Sequence, residues 1–295
     1  MSDEMSTAAL LASAGYTLGQ IGVKDLIVAV AKPTMDHFGE VFRNLILPNY
    51  KINLEKIIYT AEKKVKDRGI PEDNSVQAGV ISEIFRDAAF QQGEMYAEYY
   101  GGVLASSQLF NKNDIGKSIC QIITKLSAYD LRFHFILYSC LKGKFKNKTI
   151  NLGDNGDCGV CRVFISKESF IRSMGFTDEE SEYKDIIFST CLHSLSREDL
   201  IYPEYSYAEK GFMKSRFGVE GSGFILGPTE TGAALLMWAQ GYGLTRPSQI
   251  FSDDIEISKF EDISIPECIH LDTTPKSGLA GDVIRLKNLD NHLRA

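Results

Sequence analysis

The chain has 295 residues, of which 44% are hydrophobic and 24% charged, and its net charge is −7. This composition is typical of a folded soluble protein long enough for two domains. The negative charge disfavours a protein that coats nucleic acid, because the phosphate backbone rewards positive charge. Six cysteines in a chain of this length do not indicate a disulfide scaffold. The acidic start MSDEM lacks the basic region of a signal peptide, so we predict a cytoplasmic protein.

The N-terminal segment, residues 1–23, carries no charge between Met5 and Val23. It is long enough to cross a bilayer, but it is rich in Ala, Gly, Ser and Thr and poor in large apolar side chains. We predict a soluble amphipathic helix or a flexible arm. Membrane association through residues 5–23 is the alternative.

Residues 24–148 have apolar side chains at helical spacing and predict a helical domain. The clearest helix is INLEKIIYTAEKKVKDRG, and Gly69 suits the position just after its end. In SAYDLRFHFILYSCL, Ser127 and Asp130 occupy the N-cap and N3 positions of a variant capping box. His134 lies among apolar residues of that helix and is predicted to be a core or interface histidine.

The pattern changes in residues 149–245. TINLGDNGDCGVCRVFIS, EDLIYPEY and VEGSGFILG predict strands or hairpins, whereas TDEESEYKDIIFSTCLHSL and PTETGAALLMWAQ predict helices. This order is compatible with a winged-helix-like α+β domain. Residues 246–295 form a C-terminal tail with weak strand signals such as ECIHLDT. The predicted fold is mainly α with a smaller α+β part.

The strongest metal-binding signal is the pair Cys158 and Cys161, for which Cys191 and His193 could complete four zinc ligands. A Cys-x-His pair is not the usual second half of a zinc site, and on a helix these two side chains point apart. A thioredoxin-like redox role would need a strand-to-helix turn that this context lacks. Two cysteines on a tight hairpin are therefore the favoured interpretation, and no cofactor is predicted.

The lysine run KGKFKNK is the main candidate for contact with nucleic acid. It places positive charge at alternate positions around Phe145, on Lys142, Lys144, Lys146 and Lys148. Such a run is more often a solvated helix end, where lysines complement the helix dipole. The predicted recognition helix, around residues 186–195, is also poor in basic residues, which disfavours DNA binding.

The sequence shows no catalytic constellation. The five histidines are scattered, and no Ser/His/Asp or Cys/His set is apparent. Glu94 and Glu98 lie one helical turn apart, but no metal-binding motif accompanies them, so a solvated face or a helix cap is the favoured interpretation. We therefore predict that the protein is not an enzyme.

The helix EMYAEYYGGVLASS contains two adjacent glycines, each of which costs about 1 kcal/mol in a helix relative to alanine. Gly101, Gly102 and Ala105 together form a surface of small residues. We predict that this surface allows a neighbouring helix to approach closely, which explains the glycines without any catalytic role.

The order of these segments resembles the abortive-infection alpha (Abi-alpha) family of bacterial proteins, over roughly residues 20–245. The matching positions are Met95, Tyr96, Leu104, Ala105, Ser106 and Ser107 in one helix and Leu126, Ser127 and Asp130 at the start of another. ILGPTETGAALLMWAQG is similar to a C-terminal helix of the family. The paired glycines and the CxxC segment depart from the family pattern.

The resemblance implies a role in defence against phage through abortive infection, and it implies no catalytic residues. The expectation is a non-enzymatic component that acts through protein–protein contact or host toxicity, with a protein partner that is the chain itself, operon-encoded or phage-encoded. Two alternatives stay open: a membrane-active effector that uses residues 5–23, and a nucleic-acid-binding regulator that uses the winged-helix-like domain.

Overall fold

The computed structural model describes residues 47–70, 76–88, 91–109 and 114–271. The described residues are mainly helical, with a four-stranded antiparallel sheet in the C-terminal half. The chain divides into two compact units. The first comprises Met1–Leu131 and Leu235–Thr245, and the second comprises Arg132–Ala234 and Arg246–Ala295.

A break between the units falls at the predicted boundary of 245, whereas none falls at the predicted boundary of 148. The first boundary falls inside a helix rather than after it. Hydrogen bonds join the start of α5 and the end of α10 to the first unit: the Tyr99 hydroxyl donates to the carbonyl of Leu131, and the Ser106 hydroxyl donates to the carbonyl of Trp238. Both bonds join distant parts of the chain to one central helix.

The first unit is built from helices. They are α1 (Leu47–Asp67), α2 (Ala78–Arg86), α3 (Glu94–Gln108) and α4 (Ile115–Thr124), with the start of α5 (Ala128–Lys144) and the end of α10 (Glu230–Ala239). The apolar stripe predicted for α1 is buried, and Gly69 follows the helix with a positive φ of 61°, as the C-terminal glycine signal indicates. Every residue of α3 after Glu94 is buried, so α3 is the central helix of this unit.

The second unit interleaves helices and strands. Its elements after α5 are α6 (Asn155–Val160), β1 (Val163–Ser166), α7 (Lys167–Met174), α8 (Lys184–Arg197), β2 (Ser206–Ala208), α9 (Lys210–Phe217), β3 (Gly223–Leu226), the start of α10 and β4 (Ile269–His270). Short 3-10 helices cover Glu180–Glu182 and Pro247–Phe251.

The sheet order is β2-β3-β1-β4, with antiparallel pairing throughout. Phe164 pairs with Ile225, Tyr207 with Phe224, and Val163 with His270. A helix, a strand, two helices and a β-hairpin that adds next to the first strand is the order of a winged-helix module. Here the connection between the hairpin strands carries α9. The predicted fold class, mainly α with a smaller α+β part, is therefore confirmed, and the order of elements in the second unit is compatible with a winged helix.

An aromatic core holds α5, α7, α8 and the sheet together. The ring of Phe133 lies 4.4 Å from that of Phe170, and Phe188 lies 4.9 Å from Phe224. Tyr207 stacks on the same Phe224 ring at 4.5 Å. Because one residue of each element contributes a ring, this core fixes the orientation of α8.

Local capping explains where the elements agree with the sequence prediction. Ser127 N–H donates to the Asp130 carboxylate at 2.8 Å, and Asp130 N–H donates to the Ser127 hydroxyl at 3.1 Å, so the predicted capping box at the start of α5 is confirmed. The predicted helix after Pro228 and the predicted strand in VEGSGFILG are also present, as α10 and β3.

Three local predictions were wrong. The segment TINLGDNGDCGVCRVFIS ends in a strand as predicted, β1, but its glycine-rich part forms helix α6 rather than a hairpin. The Asp154 side chain caps this helix by accepting hydrogen bonds from the N–H groups of Gly156 and Asp157. The strand expected in EDLIYPEY lies further on, at β2. The helix expected from Thr177 begins only at Lys184, after a 3-10 turn.

Candidate functional site

Helix α8 occupies the position of the recognition helix in the winged-helix arrangement. Its inner face is buried and consists of Phe188, Cys191, Leu192 and Leu195. Its exposed residues are Asp185, Ile186, Ser189, Thr190, His193 and Arg197. The outer face is thus partly apolar and carries a single arginine, whereas a helix that reads DNA normally presents several arginine, lysine or amide side chains.

The start of α8 combines exposed apolar side chains with carboxylates. Tyr183 is 58% exposed and Ile186 is 66% exposed. The segment that precedes α8 exposes three acidic residues, Asp178, Glu179 and Glu182. We define these five residues as the α8 face. Its chemistry is that of an apolar centre with an anionic rim.

The lysine and the arginine of α8 both donate hydrogen bonds to groups within the protein. Lys184 Nζ donates to the carbonyl of Ser181 at 3.2 Å, and Arg197 Nε donates to Glu198 at 2.9 Å. The 3-10 turn before the helix is fixed by a reciprocal pair of bonds between Thr177 and Glu180. This helix therefore offers little charge for phosphate contacts.

A polar network joins the start of α8 to the connection between β2 and β3. Lys167 Nζ lies 2.9 Å from Asp185 and 3.3 Å from Glu209. The Tyr207 hydroxyl donates to Asp185, and the Ser222 hydroxyl donates to Glu209 at 2.8 Å. These bonds fix α8 and α9 relative to each other within the second unit.

The pKa values follow the same network. Desolvation lowers the pKa of Lys167, but hydrogen bonds to Asp185, Tyr207 and Glu209 outweigh it and raise that pKa overall. The bonds from Tyr207 and Lys167 lower the pKa of Asp185, and those from Ser222 and Lys167 lower the pKa of Glu209. Burial, helped by Asp185, raises the pKa of Tyr207 to about 12. All four groups therefore keep their ordinary charges at neutral pH.

Helix α9 has three exposed basic residues, Lys210, Lys214 and Arg216. Lys210 and Lys214 lie 3.6 Å and 2.5 Å from Glu220. These pairs lower the pKa of Glu220, with the bond from Lys214 as the main cause. The positive charge of α9 is thereby partly neutralised.

Two lysines of the run KGKFKNK have structural partners. Lys142 Nζ donates to the carbonyls of Ile250 and Ser252, at 3.0 Å and 2.6 Å. Lys146 Nζ lies 2.8 Å from Asp253. Lys144 is exposed and Lys148 is half-buried. The run therefore holds residues 250–253 against the end of α5 and does not form a continuous basic surface.

The structure does not bring together the four residues suggested for zinc. Cys158, Cys161 and Cys191 are buried, whereas His193 is exposed on the other side of α8. Over the described residues, no three His, Cys, Asp or Glu side chains come close enough to hold a metal ion. Burial raises the pKa of the Cys158 and Cys161 thiols to about 11 and about 12. Both thiols are therefore protonated at neutral pH.

The small residues of α3 lie at close helix contacts, as the sequence indicates. A Cβ at Gly101 would lie 2.7 Å from Thr60 Cβ on α1, and a Cβ at Gly102 would lie 1.8 Å from the carbonyl oxygen of Ala239. Ala105 is completely buried. No larger side chain fits at these contacts without displacing backbone.

The sequence interpretation missed a buried ion pair. Glu98 was expected on a solvated face, but it is buried and pairs with Lys64 of α1. The Gln240 side-chain amide donates to the same carboxylate oxygen at 3.2 Å. The signal that could have revealed it is the position of Lys64 on the apolar side of α1, next to Val65 and one turn after Ala61. The pair joins α1, α3 and the segment after α10.

His134 is confirmed as a core histidine. It is fully buried, and its Nε2 lies 3.0 Å from the carbonyl oxygen of Gly232. Burial lowers the pKa of His134 to about 3. The ring is therefore neutral at physiological pH and donates from Nε2.

Comparison with known protein families, curated proteins and solved structures finds no match to this chain. Within the described ranges, no helix combines the length and the apolar character that a bilayer crossing requires. Residues 5–23, which carry the membrane alternative, lie outside those ranges.

Proposed function

We propose that the protein is a non-enzymatic component of a bacterial antiphage system of the abortive-infection type, and that it acts by protein–protein contact through the α8 face. The resemblance to the Abi-alpha family motivates the biological role, which is an inference by association. The winged-helix-like unit supplies the contact surface.

The observation that carries the proposal is the exposure of Tyr183 and Ile186 beside exposed carboxylates. Neighbouring apolar side chains within a polar rim are the arrangement by which many proteins bind one another. The partner that fits is a protein with an apolar pocket surrounded by Lys or Arg side chains. Charge complementarity of this kind sets orientation and speeds association.

Contact with nucleic acid receives less support from the same region. The carboxylates before α8 would lie near the phosphate backbone if this helix entered a groove, and each would repel it. Lys184 and Arg197 have partners within the protein, as do Lys142 and Lys146. The side chains that remain on the outer face of α8 are Ile, Ser, Thr and His.

A phage challenge tests the proposal. Bacteria expressing the chain, alone and with its native neighbouring genes, are infected at low and high phage input, and plaques and culture growth are recorded. We expect fewer plaques at low input and collapse of the culture at high input in at least one of the two strains. Normal plaquing in both strains would contradict the proposal.

A binding assay separates the protein-contact role from the nucleic-acid alternative. Anisotropy of labelled duplex DNA and RNA is measured with the full chain at about 50 and 150 mM salt, where phosphate-dominated binding would weaken steeply. We expect no binding at either salt concentration. Salt-dependent binding would favour the regulator instead.

A further inference from the structure

Two cysteines far apart in sequence meet at the end of the second unit. Cys140 lies in the last turns of α5, and Cys268 lies directly before β4. The Cys140 Sγ lies 3.2 Å from the carbonyl oxygen of Pro266, and the Cys268 Sγ lies 3.6 Å from the carbonyl oxygen of Cys140 itself. Each sulfur thus reaches the backbone of the segment that carries the other cysteine.

The two thiols have different surroundings. Cys140 is 3% exposed, whereas Cys268 is only partly buried. Hydrogen bonding with Cys140 is the main cause that lowers the pKa of Cys268, and the charge of Lys144 lowers it further. Burial and the charge of Glu267 raise this pKa, and the net effect is a decrease. The same bond and burial raise the pKa of Cys140. Cys268 is therefore the thiol that solvent reaches, and Cys140 is the sheltered one.

We propose that Cys140 and Cys268 form a peroxide-sensitive dithiol that closes to a disulfide. In the first step the Cys268 thiolate attacks one oxygen of a hydroperoxide. The O–O bond breaks, hydroxide or alkoxide leaves, and Cys268 becomes a sulfenic acid. In the second step the Cys140 sulfur attacks the Cys268 sulfur, an S–S bond forms, and the S–O bond breaks. The Cys140 proton leaves with the hydroxide as water, so two thiols are oxidised and one peroxide is reduced.

The disulfide would fasten a segment that noncovalent contacts already hold on this unit. Arg132 donates to the Asp262 carboxylate at 2.6 Å and to its carbonyl at 2.8 Å. Phe135 packs edge-on against Phe260 at 4.9 Å. Closing the link joins residues 140 and 268 and encloses the whole winged-helix part of the chain. A link that closes so long a loop restricts the unfolded chain strongly.

The pair Cys158 and Cys161 provides an internal comparison. These residues are closer in sequence and would be the first choice from the motif alone. However, both thiols are buried, and their pKa values are raised to about 11 and about 12. Neither offers a thiolate at neutral pH, so oxidation should begin at Cys268 instead.

The test is peroxide titration of the full-length protein, followed by intact mass and by nonreducing peptide mapping. We expect loss of two hydrogen masses, a linked peptide pair that contains Cys140 and Cys268, and a higher melting temperature that dithiothreitol reverses. The variant with Cys158→Ser and Cys161→Ser should behave like the wild type, and Cys268→Ser should lose the linked pair. A disulfide between Cys158 and Cys161 that forms first, or sulfinic acid at Cys268 while Cys140 stays free, would overturn the proposal.

Charge removal around Cys268 supplies a second readout that does not depend on replacing either thiol. Lys144→Gln should slow the alkylation of Cys268 by iodoacetamide several-fold, and Glu267→Gln should speed it. Equal rates in the three proteins would show that Cys268 has no thiolate character of the kind the first step requires.

Discussion

At the scale of single residues, the two glycines of α3 decide how the first unit packs. Gly102 faces the backbone of Ala239, and Gly101 faces Thr60. Both glycines lower the intrinsic helix propensity of α3. They also allow α1 and the end of α10 to approach α3 so closely that no methyl group would fit between them. The sequence predicted this close contact correctly. Two adjacent glycines destabilise an isolated helix, so their presence in an apolar helix indicates that tight packing offsets the loss. It could not predict which segments make the contact.

Gly102→Ala should destabilise the protein by about 3 kcal/mol or more, because the new methyl group would overlap a backbone carbonyl that cannot rotate away. Urea denaturation followed by circular dichroism measures the change. Gly143→Ala is the matched control in α5, since a Cβ added there would meet no atom within 4 Å. There the helix propensity alone should stabilise by up to ~1 kcal/mol. Equal effects of the two substitutions would be inconsistent with this packing.

His134 gives the second prediction at this scale. Its folded pKa of about 3 lies below the ordinary value of 6.5, so the unfolded chain binds the extra proton between these values. The contribution of His134 to the free energy of unfolding is therefore fully present above about pH 6.5. It falls by roughly 1.4 kcal/mol per pH unit as the pH decreases toward 3.

The variant His134→Gln keeps a donor toward Gly232 and has no proton to gain. The free energy of unfolding, measured from pH 7 to pH 4, should decrease less steeply in the variant than in the wild type. Carboxylates titrate in both proteins, so the difference between the two slopes isolates the histidine. Parallel curves would argue against a buried neutral ring.

At the scale of elements, the lysine run shows why a charge pattern is a weak guide to function. Its four lysines suggested a phosphate-binding surface, yet Lys142 and Lys146 hold residues 250–253 in place. The partners lie more than a hundred residues further along the chain, so no local pattern could announce them. The capping box of α5 was predictable for the opposite reason, since Ser127 and Asp130 are partners within one turn.

Lys142→Met should therefore lower stability by about 1–3 kcal/mol, because the carbonyls of Ile250 and Ser252 lose a charged donor. Lys144→Met, on the same helix but exposed, should change it by less than about 0.5 kcal/mol. Thermal unfolding of both variants gives the comparison. A larger loss at Lys144 than at Lys142 would contradict this structural role of Lys142.

At the scale of the whole molecule, the sequence predicted the mainly helical class and the winged-helix-like part, because alternating and helical patterns are local properties. The two units divide within α5 rather than at the predicted boundary of 148, and the Tyr99 hydroxyl bonds the first turn of α5 to α3 in a way that no local pattern reveals. The sequence also placed Glu98 in solvent, because one turn of helix does not reveal a partner on α1. The α8 face was missed for a similar reason: exposure of Ile186 depends on which side of the helix meets the aromatic core.

We propose that the α8 face is the surface through which this protein acts. The most direct measurement is the efficiency of plaquing on bacteria that carry the wild type, Ile186→Asp, or the matched control Ile52→Asp, which changes an exposed isoleucine of α1. Expression and melting temperature are measured for all three proteins. We predict that Ile186→Asp restores plaques at least tenfold while Ile52→Asp protects like the wild type, since a buried carboxylate at an interface costs about 1.4 kcal/mol or more. Full protection by a folded Ile186→Asp protein would contradict the claim.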